Sequence, residues 1–366
     1  MKLLIDAHVF DGKFQGTRTY LEGLYKKLIE HKDIDFHFAA KEIDNLKSIF
    51  GEDRNVHYIK LQSNNSIIRL GYEYPAIIRK YHIDYAHFQY ISPLIKCCKE
   101  IVTVHDILFM DYPQYFPFIY KFKNSCLFYL SAKRADMLLT VSNYSKQRIS
   151  SKFGINTDKI YITPNAVLPI DQDIRITNVI KELELDKYIL SVGRIEPRKN
   201  YLLLLKAFVD LQLYKENYKL VLIGSPDLEY KDFFLYYNSL SKDIQQAIII
   251  KGVSFPDLVT LYKSASLFVF PSLAEGFGIP PLEAIEYGCP LLCSNATAMA
   301  EFDLPDICSF DPNNINDLKD KMLYLLNNPI EWHDIRKRLH NQYNWYNTSE
   351  ILYDLMKDNI RVNEKL

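Results

Sequence analysis

The chain has no apolar run near the roughly 18 residues that a bilayer-spanning helix needs. Its six cysteines include no Cys-x-x-Cys, and no Cys/His set has zinc spacing. Net charge is almost absent, −1 over 366 residues, and no contiguous basic stripe runs through the chain. No Gly-x-Gly-x-x-Gly follows a strand-like segment. These absences argue against a membrane-spanning protein, a zinc module, a nucleic-acid binder and a dinucleotide-dependent dehydrogenase. The opening residues, MKLLIDAH, turn polar too early for a signal peptide. The cysteines are therefore expected to be reduced in a cytoplasmic protein, serving as small buried apolar residues.

What is present points to two domains. The length favours two over one, and 48% hydrophobic with 24% charged residues lets each half bury a core. The near-neutral balance hides an asymmetry. Residues 1–166 carry 23 Lys/Arg against 17 Asp/Glu, and residues 167–366 carry 21 against 28. Opposite-signed halves suggest different neighbours. The basic, aromatic stretch 119–134 (IYKFKNSCLFYLSAKR) suits an anionic surface, or an ordinary solvated helix with one buried face.

Short apolar runs alternate with amphipathic stretches. Strands are expected over 2–8, 34–40, 55–61, 83–88, 100–106, 136–142 and 159–164. In the stretch 17–31, Tyr20, Leu21, Leu24, Tyr25, Leu28 and Ile29 share one helical face. The alternation weakens over 166–186 and restarts with strands at 188–194, 219–224, 247–252, 266–272 and 290–294. That pattern predicts two α/β units with parallel sheets. The expected division is 1–166, a linker at 167–186, a second domain at 187–344, and a terminal helix from 345 packing back on the first domain. Ligands of such sheets bind beyond the carboxyl ends of the strands.

Two loops in those places carry chemistry. GRIEPRKN (193–200) holds Arg194 and Lys199 before a helix, where cations and a helix N-terminus suit a diphosphate. Arg198 between them is either solvated or a third partner. PSLAEGFGIPPLEA (271–284) places seven residues between Glu275 and Glu283. Gly276 and Gly278 let backbone approach a ligand, and Pro280 and Pro281 suit a first helical turn. Carboxylates accept hydroxyl hydrogens, so the two glutamates suit a sugar at one end of a ligand and a ribose at the other.

These motifs resemble the retaining nucleotide-sugar glycosyltransferases of family 4. TVHD (103–106), VSNYS (141–145), TPNAV (163–167) and the loop FQGTRTY (14–20) add to the likeness in chain order. The resemblance implies the GT-B architecture, two facing Rossmann-like domains with a cleft between them. It further implies that Arg194 and Lys199 neutralise the donor diphosphate. Glu275 and the amides of Gly276, Phe277, Gly278 and Ile279 would hold the transferred hexose, and Glu283 the ribose. Val253, after Gly252, would border the base. His105 would lie near sugar and acceptor, with Gly16 and Arg18 lining the first loop. Gln15-Gly16 stands where many relatives have two glycines.

No metal or cofactor is expected beyond the nucleotide-sugar co-substrate, because cations and oriented amides can stabilise the departing diphosphate. The likeness is greatest to bacterial polysaccharide mannosyltransferases, which suggests GDP-mannose as donor and a saccharide or lipid-linked saccharide as acceptor. Peripheral association with the inner membrane surface fits the basic first half. A sugar-nucleotide epimerase and a non-catalytic nucleotide-sugar binder are the alternatives.

Overall fold

The computed structural model describes residues 1–12, 16–169, 176–225 and 230–363, the last five without their side chains. Contacts divide the chain into two units. Met1–Leu168 joins Tyr343–Leu366 in the first, and Pro169–Gln342 forms the second.

The first unit is built on seven strands: β1 (Lys2–Asp6), β2 (Asp35–Ala40), β3 (Val56–Lys60), β4 (Tyr85–Gln89), β5 (Lys99–Thr103), β6 (Met137–Thr140) and β7 (Ile160–Ile162). All pairings are parallel, in the order β3-β2-β1-β4-β5-β6-β7. Every residue of β4 and β6 is buried, as expected for strands covered on both faces. The strand order reverses direction between β1 and β4, so a crevice opens at their carboxyl ends.

The second unit holds β8 (Lys187–Val192), β9 (Tyr218–Ile223), β10 (Ile248–Lys251), β11 (Leu267–Phe270), β12 (Leu291–Ser294) and β13 (Ser309–Phe310). They form a parallel sheet ordered β10-β9-β8-β11-β12-β13, with its reversal between β8 and β11. Helix Tyr201–Asp210 packs Leu204, Leu205 and Phe208 into a core with Leu220, Leu267 and Phe310.

The stretch 167–186, expected as a linker, is only partly describable, since 170–175 lie outside the described residues. Residues 176–186 are packed parts of the second unit rather than a free connection. Thr177 donates to Thr260 through its amide, at 3.1 Å, and Val179 is buried on the short helix Val179–Glu182. The polar composition that suggested a linker reflects the solvent face of that helix.

The terminal helix Trp345–Asn363 lies against helix Gly16–Leu28 within the first unit. Gly23 makes room for it, because a Cβ there would stand 2.0 Å from the Trp345 indole. Farther along, Glu350 meets His31 at 2.8 Å, Tyr353 stacks on His31, and Thr348 Oγ1 donates to the Pro164 carbonyl at 2.9 Å.

Replacing Gly23 by alanine improves helix propensity by about 1 kcal/mol. The clash with Trp345 costs about 1–3 kcal/mol. Urea denaturation is therefore expected to show Gly23→Ala destabilising the wild type but stabilising the Trp345→Ala background. The same sign in both backgrounds would refute the packing argument.

Candidate functional site

In the second unit, the loops after β8 and β11 flank the point where strand order reverses. The first makes a 3-10 turn, Pro197–Lys199, and Asn200 turns the chain in the left-handed region (φ +58) into helix Tyr201–Asp210. The second runs from Pro271 into helix Ile279–Glu286, with Pro280 and Pro281 in its first turn. The backbone joins the loops directly, Leu273 N–H donating to the Arg198 carbonyl at 2.9 Å.

Glu275 is 9% exposed and sits between two cations. Its Oε1 accepts from Lys199 Nζ at 2.6 Å and its Oε2 from Arg198 Nη1 at 2.9 Å. The Arg198 guanidinium also donates to the Ala274 carbonyl at 2.5 Å and to Glu196 Oε1 at 2.6 Å. Burial alone would raise the Glu275 carboxyl, but Arg198 and Lys199 overcome it and hold the pKa at about 2. The Glu275 amide donates to Thr297 Oγ1 at 2.9 Å. Lys199 Nζ also lies 5.2 Å from the Phe270 ring centroid.

Of the two expected cations, Lys199 is the one at Glu275. Arg194 is exposed, two residues past β8. Arg198 is the further partner, a possibility that spacing could not decide. Gly193, beside Arg194, has φ +146, and its carbonyl oxygen would stand 2.0 Å from a Cβ at Gly224. Two glycines thus bring the β8 and β9 loops together.

Beyond Glu275 the chain passes Gly276 and buried Phe277, which meets Phe302 edge-on at 5.8 Å. Gly278 takes φ +104 as the residue before the helix, a conformation L side chains rarely adopt. Ile279 opens the helix and Glu283 follows one turn in. Tyr262, which sequence reasoning missed, donates its hydroxyl to Glu283 Oε2 at 3.0 Å. Burial pushes the Glu283 carboxyl up to about 7, the Tyr262 hydrogen bond opposing it. Val253 lies after β10, the edge strand, next to Ser254, whose side chain caps helix Phe255–Ser264.

The remaining expected residues belong to the first unit. His105 is buried, its Nε2 2.8 Å from Gln89 Oε1, so Nε2 carries the proton. Its ring meets Tyr20 edge-on at 4.9 Å. Burial drives its pKa down to about 3, leaving it neutral at physiological pH. Gln89 also reaches His87, which pairs with Tyr25 at 2.6 Å and Thr103 at 2.7 Å. Gly16 begins helix Gly16–Leu28, and the Arg18 guanidinium lies over the Phe10 ring at 5.2 Å. Gln15 lies outside the described residues. No group of three or more potential metal-ligating side chains forms among the described residues.

Two parallel Rossmann-like units with charged loops beyond their strands define the GT-B class of glycosyltransferases. The family model described as Glycosyl transferases group 1 matches residues 174–342, and that described as Glycosyltransferase Family 4 matches 14–169. Together they span most of the sequence, and the chain belongs to glycosyltransferase family 4. The O-antigen chain mannosyltransferase B of Escherichia coli is 26% identical over 92% of this chain and 93% of its own length. Sucrose-phosphate synthase from Thermosynechococcus elongatus shares the fold, with a TM-score of 0.75, 15% identity and 99% of each chain covered. Anabaena HepE in complex with UDP-glucose does so at a TM-score of 0.70 and 15% identity, over 98% of this chain and 100% of that one.

The Glu283 carboxyl keeps its proton to about pH 7 in the folded chain, against an ordinary value of 4.5. Between those values the folded state binds more protons, so this group's contribution to stability falls as pH rises through the window. Glu283→Gln should flatten that part of the stability curve in urea titrations. Unchanged slope would show that Glu283 ionises normally.

Proposed function

We propose that the chain transfers mannose from GDP-mannose to a saccharide or lipid-linked saccharide in polysaccharide synthesis, retaining the anomeric configuration. The observation that carries the reading is the ionised Glu275 fixed by Arg198 and Lys199 at the reversal point between β8 and β11. The mannosyl assignment rests on the similarity to the E. coli mannosyltransferase.

Each step follows from the residues. Arg194, exposed, and Lys199, with donor hydrogens beyond the one given to Glu275, bind the diphosphate. Glu275 accepts hydroxyl hydrogens of the hexose on lone pairs its cations leave open. Amides around Gly276, Phe277 and Gly278 stabilise the charge that develops as the sugar–phosphate bond breaks. Glu283 accepts from the ribose hydroxyls, and the backbone at Val253 borders the base. The acceptor oxygen bonds to the anomeric carbon on the face the phosphate leaves, and its proton passes to the departing phosphate oxygen. His105, neutral and held by Gln89, positions the reactants. This chemistry requires no metal or further cofactor.

Action at an anionic lipid surface is supported by helix Phe118–Arg134, which contains no acidic residue. Phe118, Ile119 and Phe122 are each at least 70% exposed, beside Lys121 and Lys123. Phe128 and Ala132 on its second half are buried. No helix among the described residues is long and apolar enough to cross a membrane.

The donor is tested by thermal shift with GDP-mannose, GDP, UDP-glucose and UDP, with and without EDTA. Guanine ligands should raise the melting temperature preferentially, chelator having no effect. Lys199→Ala should lose that shift and slow transfer about 100-fold or more while remaining folded. A uracil-only response, or near-wild-type turnover of Lys199→Ala, would overturn the assignment. Surface binding is tested by sedimentation with phosphatidylcholine vesicles, with and without phosphatidylglycerol. Salt-sensitive binding to the anionic vesicles, lost in Ile119→Glu/Phe122→Glu, is expected. Equal recovery of wild type and variant would exclude this surface.

A further inference from the structure

A groove of about 700 Å³ lies in the first unit at the amino-terminal ends of β1, β2 and β3, the end of the sheet away from His105. β3 is an edge strand and His57 on it is exposed, so here the sheet is not covered on both faces. His57 and Tyr58 both line the groove. Neighbouring residues of a strand point to opposite faces, so the groove curls around the free edge of β3.

His37 is the unusual member. It is 6% exposed, and neither Nδ1 nor Nε2 finds a hydrogen-bond partner among the described residues. An unsatisfied buried donor or acceptor costs about 1–3 kcal/mol, and this ring carries one of each. Burial, with His57 and Lys2, holds its pKa at about 4, so the imidazole is neutral at physiological pH. His57, its register partner on β3, stacks over it at 4.7 Å. Tyr81, at the end of helix Tyr74–Tyr81, flanks it at 5.7 Å.

We propose that this groove holds a neutral saccharide chain at a second site, remote from transfer, so that the polymer stays tethered while its end is extended. The proposal rests on the glycosyltransferase reading for the source of that chain. The charges along the groove cancel in pairs. Lys47 meets Glu52 at 2.7 Å, Asp53 meets Lys32 at 2.6 Å, and Lys2 and Asp35 act on His37 in opposite senses. Neither a polyanion nor a cation is favoured. A sugar hydroxyl both donates and accepts, which is what a neutral imidazole with two unused nitrogens requires. Pyranose C–H faces pack on aromatic rings such as those of His57, Tyr58 and Tyr81. A planar base gains most between two open ring faces, whereas His57 already stacks on His37 and Tyr58 on Phe38. An extended chain, unlike a compact ligand, follows the curl around β3. Exposed side chains change rotamer within nanoseconds, so His57 swings aside and opens His37 to the chain.

Isothermal titration of the full chain with linear α-mannohexaose and with methyl α-mannoside tests this. The hexasaccharide should bind about tenfold tighter or more, and His37→Phe and Tyr81→Leu should each weaken it about tenfold. His37→Phe keeps the ring and removes the unsatisfied nitrogens, so its urea midpoint should rise as hexasaccharide binding falls. A purely structural histidine would not couple the two. With GDP-mannose, both variants should transfer to methyl α-mannoside at the wild-type rate and to a long α-mannan more slowly. No hexasaccharide binding, binding unchanged in both variants, or wild-type transfer to the long mannan by both would each overturn the proposal. Hexasaccharide binding that responds to both variants supports the groove even if GDP fails to shift the melting temperature, a failure that would count against the donor reading alone.

Discussion

The Glu275 carboxylate, buried between Arg198 and Lys199, is the interaction on which the order of the second unit's functional edge depends. Taking a carboxylate from water costs several kcal/mol, and only close, well-aligned cations recover it. Here the cations come from one loop and the carboxylate from another. Each loop is therefore held in the one geometry that keeps all three charges satisfied. The backbone bond from Leu273 to Arg198 and the Thr297 bond to the Glu275 amide fix the same arrangement independently. Removing Glu275 would leave Lys199 without its carboxylate while Arg198 kept Glu196, a loss of up to roughly 3–5 kcal/mol.

The two glutamates of a single motif are consequently in opposite states. Glu275 is ionised, near 2, because two cations outweigh its burial. Glu283 is near 7 because burial raises it and the neutral tyrosine hydroxyl beside it opposes that only in part. An ionised carboxylate is a fixed acceptor, already in place for any hydroxyl donor that reaches it. A carboxyl that holds its proton until about neutrality becomes a full acceptor only when ligand hydroxyls supply the stabilisation that water no longer does. Environment, not residue type, separates the roles.

The strands were legible because a parallel sheet buries both faces and leaves short unbroken apolar runs, as in KLLID and LFVF. β13 was not, since two residues make no pattern. Glu275 and Lys199 could be named from their loops, but which arginine joins them depends on a 3-10 turn that sets the direction of Arg198. The chain neighbours of Arg194 and Arg198 do not encode that. Gln89 and Tyr262 were invisible for a related reason: each matters through a partner distant in sequence. The segment 176–186 misled because buried Val179 and Leu185 and the Thr177 bond to Thr260 anchor a stretch whose charged residues face solvent.

Both units meet the same problem and solve it alike. A sheet covered on both faces has only the carboxyl edge at which polar chemistry can be displayed, and a displayed group must be held rigid without being solvated. Asp6 at the end of β1 and Glu275 in the loop after β11 are each buried, and each is kept ionised by neighbours that outweigh burial. Asp6 orients His8 and Tyr74, as Glu275 orients Lys199 and Arg198. In both places a central carboxylate fixes the donors around it.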